Sequence, residues 1–118
     1  MAGLESQSFD APDETRVFDK GQLAVITLGS ATVGRATFQP GWRWSECVKP
    51  LVGTESCEAA HLGYVVSGHM HVEMDDGTNA DAGPGDLFNI APGHDAWIVG
   101  DEPCIVIDFE GASNYAKR

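Results

Sequence analysis

The sequence has 118 residues, of which 42% are hydrophobic and 21% are charged, so it encodes one globular domain and excludes a disordered or fibrous chain. Its 18 acidic and 7 basic residues give a formal net charge of -11, which repels nucleic-acid phosphates and anionic lipids. Three cysteines are too few for a disulfide scaffold, and no apolar run approaches membrane-spanning length. We therefore expect a cytoplasmic protein without nucleic-acid or membrane partners.

The chain divides into three parts by composition. Residues 1–15 are polar and acidic and have neither a helical nor a strand period, which predicts a flexible N-terminal arm. Residues 16–110 contain short β-type runs separated by turn signals; the clearest runs are LAVITLG, LGYVVSG, HMHVEMDDG, DAWIVGD and CIVIDF. This spacing is typical of an all-β barrel or sandwich, and residues 111–118 remain as a short C-terminal tail.

The clearest hairpin lies between residues 70 and 81. Apolar Met70 and Val72 alternate with polar neighbours until an Asp-Gly turn, so we expect these two side chains to face the core. His69 and His71 then point to the opposite face, and we interpret them as surface residues although their spacing resembles a metal-binding pair.

The second half of the chain carries a family resemblance. It reads HLGYVVSG from His61, then Asp76-Gly77, Pro84-Gly85-Asp86 and IAPGH from Ile90, and this order resembles the two conserved motifs of the cupin superfamily. The strings PGWRWSE and PGHDAWIVGDEP are similar to those of small bacterial stand-alone cupins. The resemblance covers roughly residues 40–109. It implies a cupin double-stranded β-helix, or jelly-roll barrel, with its site in the interior, and a homodimer.

The resemblance also implies a set of metal ligands. Cupins hold a divalent metal with two histidines and a carboxylate or amide from the first motif and a histidine from the second. In this sequence Glu55 stands at the first histidine position, Cys57 at the second and His61 at the carboxylate position. The last histidine would fall at Ala96, but His94 lies two residues earlier and would share a strand face with it if the strand has already begun there. Cys57, His61 and His94 are therefore the candidate metal ligands.

Thiolate and imidazole ligands suit zinc or iron best, while nickel, copper and manganese remain alternatives. Cys47 could bring a second sulfur if the intervening loop folds back over the barrel mouth. Free cysteines are also commonly small buried hydrophobic residues, and for Cys104, inside CIVIDF, we expect that role.

Aromatic and acidic residues near these ligands suggest a pocket for a small organic molecule. Trp44, Tyr64 and Trp97 are the candidate pocket residues, although tryptophan is also a common core residue. Glu55 and Asp95 are the candidate bases, but Asp95 adjoins His94 on a strand, and adjacent strand residues point to opposite faces.

Two hypotheses follow for the function, and the sequence leaves open whether the protein is an enzyme. The first is a metal-dependent cupin that performs lyase, isomerase or oxygenase chemistry on a small molecule in the barrel interior. The second is a non-catalytic, small-molecule-binding cupin with a degenerate metal site. The fold hosts both kinds of protein.

Overall fold

A computed structural model describes residues 3–110 of the chain. The predicted C-terminal tail, residues 111–118, lies outside the described residues. In the described range there is no helix long and apolar enough to cross a membrane.

The described residues form nine strands and two helical turns. The strands are β1 (Glu14–Phe18), β2 (Gly21–Leu28), β3 (Ala31–Phe38), β4 (His61–Ser67), β5 (His69–Met74), β6 (Asn79–Ala82), β7 (Leu87–Ile90), β8 (His94–Val99) and β9 (Cys104–Glu110). The helical turns are α1 (Trp44–Cys47) and α2 (Lys49–Val52), both between β3 and β4. The all-β prediction is thereby confirmed.

The strands pair into two antiparallel sheets. The larger sheet has the order β1-β2-β3-β9-β4-β7, and the smaller has the order β6-β5-β8. Consecutive hairpins build part of each sheet, whereas β9 returns from the end of the chain to lie between β3 and β4. Such long-range returns are typical of jelly-roll connections.

The core lies between the inner faces of the two sheets. On β4 the buried Val65 alternates with the exposed Tyr64 and Val66, as period-2 strand geometry requires. An aromatic group closes one part of this core, with the rings of Phe38 and Trp42 centred 4.1 Å apart. The inward parity of β4 also directs its first residue, His61, into the interior.

The predicted hairpin is present as β5 and β6, with its turn at Gly77, where φ is +91°. Met70 is buried, and Val72 packs against the core. His69 is exposed on the other face, and His71 contacts the Trp97 ring there. The face assignment for this strand therefore holds.

The predicted N-terminal arm runs along its own chain up to the start of β1 at residue 14, just before the expected boundary. The Asp13 carboxylate accepts a hydrogen bond from the Thr27 amide at 2.8 Å. The Arg35 guanidinium lies 5.3 Å from the centre of the Phe9 ring. These contacts join the arm to β2 and β3.

The corner between β4 and β5 generates a stability prediction. Gly68 has a φ of +77°, and a Cβ there would lie 2.4 Å from the carbonyl oxygen of Pro103. Gly77 has a similar φ of +91° but open space around it. We expect Gly77→Ala to cost about 1–2 kcal/mol from backbone strain and Gly68→Ala about 3 kcal/mol or more, since a backbone clash is added.

Urea unfolding of both variants measures this difference. Equal losses would show that the corner relaxes freely and that Pro103 does not constrain it.

Candidate metal centre

Backbone pairing brings together three polar residues from separate segments. Cys57 precedes β4 and forms an antiparallel bridge with His94, the first residue of β8. The Cys57 amide donates to the His94 carbonyl at 2.8 Å, and the Gly93 amide donates to the Cys57 carbonyl at 2.7 Å. His61 begins β4 in the other sheet and pairs with Ile90 of β7. The cluster therefore lies where the two sheets meet.

The side chains of Cys57, His61 and His94 converge. Each offers one ligand atom, and these atoms all lie within 4.8 Å of one another. All three residues are buried, with exposed fractions of 3%, 8% and 3%. The Cys57 Sγ and His61 Nε2 atoms are 3.7 Å apart, and the two imidazole rings meet edge to face.

Each imidazole is held in place by a hydrogen bond at its Nδ1 atom. His61 Nδ1 lies 2.7 Å from a carboxylate oxygen of Asp108, which is itself buried. His94 Nδ1 lies 2.8 Å from the carbonyl oxygen of Ala91. A carbonyl oxygen only accepts, so His94 Nδ1 carries the proton and the Nε2 lone pair of the neutral ring is free to bind a metal. Such outer contacts are the usual way in which proteins orient metal-binding histidines.

The pKa values of Cys57 and His61 shift in opposite directions. Burial alone would raise the pKa of the Cys57 thiol, but hydrogen bonds with His61 and His94 outweigh it and lower the pKa from 9.0 to about 6. Burial alone would lower the pKa of His61, but hydrogen bonds with Asp108 and Cys57 raise it from 6.5 to about 9. At neutral pH the metal-free pair is a thiolate beside an imidazolium.

This donor set fits a transition-metal ion. A tetrahedral zinc ion separates thiolate and imidazole donor atoms by roughly 3.5 Å, which follows from metal–ligand distances of about 2.0–2.3 Å. The Cys57–His61 separation of 3.7 Å is close to that value. The thiolate is already the favoured form, so the metal has to displace only the proton on His61 Nε2.

A cavity of about 50 Å³ lies beside the cluster. Its polar lining comes from His61, His94 and Asp108, with two indoles among the otherwise apolar wall. The remaining lining residues are Leu23, Ala36, Phe38, Trp42, Trp44, Met70, Phe88, Ala96 and Val106. The space suits an ion with a few waters, or a very small organic molecule.

Of the three candidate pocket residues, one lines this cavity. Trp44 is buried in its wall. Tyr64 is 41% exposed on the outer face of the larger sheet, because it alternates with the inward Val65. Trp97 lies on the outer face of the smaller sheet, with the Arg43 guanidinium 4.1 Å from its ring centre. Tyr64 and Trp97 are thus corrected from pocket residues to outer-face residues.

Neither candidate base reaches the cavity. Glu55 pairs with Lys49 at 3.2 Å, and its side chain is 98% exposed. Asp95 accepts a hydrogen bond from the Ser45 amide at 3.1 Å, so it fixes the start of α1. Strand alternation explains the separation, since the residues on both sides of Asp95 are buried.

The other two cysteines lie outside the cluster. Cys47 is buried with its Sγ atom 3.7 Å from an Asp19 carboxylate oxygen, so it does not supply a second sulfur. Cys104 has no exposed surface and packs in the core, as expected for its apolar run. All three cysteines are free thiols.

The sequence interpretation missed Asp108. Asp108 alternates with the buried Cys104 and Val106 on β9, so an inward carboxylate in an apolar strand was the available signal.

The Cys57–His61 pair generates a pH prediction for the metal-free protein. The lowered pKa of Cys57 adds stability that is present above 9.0 and is lost as the pH falls through about 6. The raised pKa of His61 adds stability that is present below 6.5 and is lost as the pH rises through about 9. The two contributions change the free energy of unfolding in opposite directions as the pH rises. We therefore expect the pair to leave the free energy of unfolding nearly constant between pH 6.5 and about 9.

Cys57→Ala removes the rise of stability with pH that comes from Cys57, and it leaves Asp108 beside His61. Its stability should therefore fall with rising pH above about 6.5, by on the order of 1–2 kcal/mol in total. Urea unfolding of chelator-treated protein measures this, with Cys104→Ala as the matched control. A flat profile for Cys57→Ala would contradict protonation of His61.

Comparisons with known proteins show which solved structures have a similar fold. No family model matches the chain, and no curated protein is significantly similar to it in sequence. Among solved structures, the oxalate decarboxylase–formate complex of Lactobacillus farciminis is similar, with 19% identity and a TM-score of 0.61 over 93% of this chain and 35% of that one. The chain thus spans about a third of that protein.

Two smaller proteins match over most of their length. KdgF from Halomonas sp. has 21% identity and a TM-score of 0.55, over 79% of this chain and 82% of that one. A Rhizobium leguminosarum protein of unknown function has 16% identity and a TM-score of 0.59, over 92% of this chain and 99% of that one. These likenesses show the fold alone, and they confirm the jelly-roll barrel that the resemblance to cupins implied.

Proposed function

We propose that this cupin holds a divalent metal ion with Cys57, His61 and His94 and acts through it on a small organic molecule in the barrel interior. The observation that carries the proposal is the convergence of three buried ligand atoms within 4.8 Å. The hydrogen bonds made by the two Nδ1 atoms add to it, because they hold both imidazoles in a fixed orientation.

Zinc is the metal that this donor set suits best, followed by iron. One thiolate and two imidazoles are borderline-soft donors, whereas manganese prefers oxygen ligands. Three protein ligands that leave one coordination position open are typical of catalytic zinc sites, while structural sites use four. The two imidazoles line the cavity, so an open position would face it.

When bound, such an ion would act as a Lewis acid on a carbonyl or hydroxyl oxygen, which is the chemistry that lyase and isomerase reactions need; oxygenase chemistry would require iron, because zinc is not redox-active. The chain's own residues have supporting roles in this proposal. The Asp108 carboxylate accepts a hydrogen bond from His61 Nδ1 and so holds the ring in one tautomer. Trp44 and Phe38 exclude water from the apolar side of the cavity.

A second function, binding without turnover, is favoured by a different observation. Glu55 and Asp95 both lie outside the cavity, and the one carboxylate in its described wall, Asp108, is engaged with His61. A reaction that needs a free side-chain base would therefore lack one. This second function is that of a non-catalytic cupin with a degenerate metal site, so metal content comes first in the test because it separates the two functions.

We predict that the protein purified without added metal carries close to one ion per chain. Cys57→Ala and His61→Ala should each lose it, because two remaining ligands bind a divalent ion far more weakly than three. Metal analysis by mass spectrometry measures the content, and circular dichroism checks that each variant is folded.

The chain offers matched controls for both ligand types. Cys104→Ala removes a buried thiol outside the cluster, and His71→Ala removes an imidazole on the outer sheet face. Both should keep the metal. A folded, metal-free wild-type protein that also fails to take up zinc would refute the metal proposal.

We also propose that the chain forms a homodimer through the outer face of its larger sheet. Leu87, Tyr64 and Ile107 pair in one row across β7, β4 and β9. Leu87 is 68% exposed and Tyr64 is 41% exposed, with Val66 and Phe109 about half exposed beside them. These exposed apolar side chains lie together on one sheet face, so a second copy could cover them.

Leu87→Glu should convert this dimer to a monomer, because two like charges would meet across a two-fold interface. Sedimentation equilibrium at micromolar concentration measures the mass. Leu4→Glu, at an 85% exposed position of the N-terminal arm, is the control and should leave the mass unchanged. A monomeric wild-type protein would contradict the proposal.

A further inference from the structure

One residue of the cavity wall also touches solvent. Phe88 lines the cavity but is only partly buried, whereas each of the other wall residues is at most 8% exposed. Phe88 lies on β7, an edge strand of the larger sheet that pairs only with β4 among the described residues. The wall is therefore closed by buried side chains except at Phe88, where the cavity approaches the surface.

The Phe88 ring occupies space that a glycine leaves open. Gly63 of β4 pairs with Phe88, and a Cβ at Gly63 would clash with the Phe88 Cζ atom and lie 2.9 Å from the Ile107 carbonyl oxygen. Gly63 does not have the positive φ that favours glycine, so its missing side chain serves the close approach of these neighbours. The ring thus lies over the backbone of β4 on the inner face of the sheet.

The ring is the neighbour of a proposed metal ligand. His61 and Gly63 are two residues apart on β4, so they share its inward face at a spacing of about 7 Å along the strand. On β7, Ile90 pairs with His61 and Phe88 pairs with Gly63. A molecule that moves from solvent past β7 to the imidazoles therefore has to pass the Phe88 ring.

We propose that Phe88 is the residue that sets the size of the ligand: its ring closes the cavity on the solvent side and admits only molecules of a few non-hydrogen atoms. This inference rests on the proposed function, because it assigns a specificity-determining residue and a size class to the same site. The cavity of about 50 Å³ agrees with this limit, since a cavity that binds benzene has a volume of about 150 Å³.

The test combines a variant that enlarges the cavity with a probe that fills the new space. Phe88→Ala removes a phenyl ring from the wall, and 4-phenylimidazole carries a phenyl ring on a metal-binding imidazole. Cobalt(II)-loaded wild type and variant are titrated with 4-phenylimidazole and with azide, a much smaller metal ligand, and visible absorption reports binding. We expect 4-phenylimidazole to bind the variant at least about tenfold more tightly than the wild type, while the azide affinity changes by less than about threefold.

Two further variants serve as controls. Phe109→Ala removes the same ring from the outer face of the larger sheet, where Phe109 is 49% exposed, and should leave both affinities unchanged. Phe88→Leu removes less volume and should favour 4-phenylimidazole by a smaller factor, so it replaces Phe88→Ala if that variant does not fold. Melting temperatures check that each variant is folded.

Equal affinities of wild type and Phe88→Ala for 4-phenylimidazole, or no binding to either, would overturn the inference. The metal proposal is judged separately, by the cobalt content of the same samples. In chelator-treated protein benzene replaces 4-phenylimidazole as the probe, and it should raise the melting temperature of Phe88→Ala but not that of the wild type. A chain that binds no metal therefore still tests the role of Phe88, and the two failures give different results.

Discussion

The hydrogen bond between His61 and Asp108 is the interaction on which the candidate site depends. It joins β4 to β9 on the inner face of the larger sheet, with both side chains buried. With Nδ1 engaged, the ring has only Nε2 left, and that atom faces the Cys57 sulfur. The same bond raises the pKa of His61 and thereby favours the thiolate on Cys57. One contact between neighbouring strands thus sets the orientation of a ligand and the charge state of the cluster.

Strand alternation then separates the residues that can take part in chemistry from those that cannot. On β8, His94 and Ala96 face inward, whereas the alternate residues Asp95 and Trp97 face outward. The outward residues have their own role, because Asp95 binds the start of α1 and Trp97 holds Arg43. The second helical turn and the loop after it lead to Cys57, so the outer contacts help to anchor the segment that brings the sulfur to the interior.

The sequence predicted the fold well because its turns are determined by residues that are neighbours in the sequence. The Asp-Gly hairpin and the inward parity of Met70 depend on neighbouring residues alone, and both predictions hold. The cluster of Cys57, His61 and His94 was reached through motif positions, and the structure brings these side chains together. Tyr64 and Trp97 were assigned to the pocket although they alternate with inward-facing residues, and Glu55 was assigned by its motif position although it lies outside any strand. Asp108 lies 47 positions after its partner, so only the return of β9 between β3 and β4 could reveal the contact.

Burying the polar groups of this cluster costs folding free energy in so small a domain, and that cost favours a bound ligand. Two imidazoles, a thiol and a carboxylate occupy inward positions that valine or leucine could fill, and replacing buried ionic groups by apolar ones is often neutral or stabilising. The Trp42 indole N–H adds a further unpaired donor to the same wall. A ligand that binds only the folded chain recovers this free energy through linkage, since it pairs the groups that burial has left without water. The proposed metal ion would explain why polar groups are collected at one end of an otherwise apolar core, because packing alone would select against them.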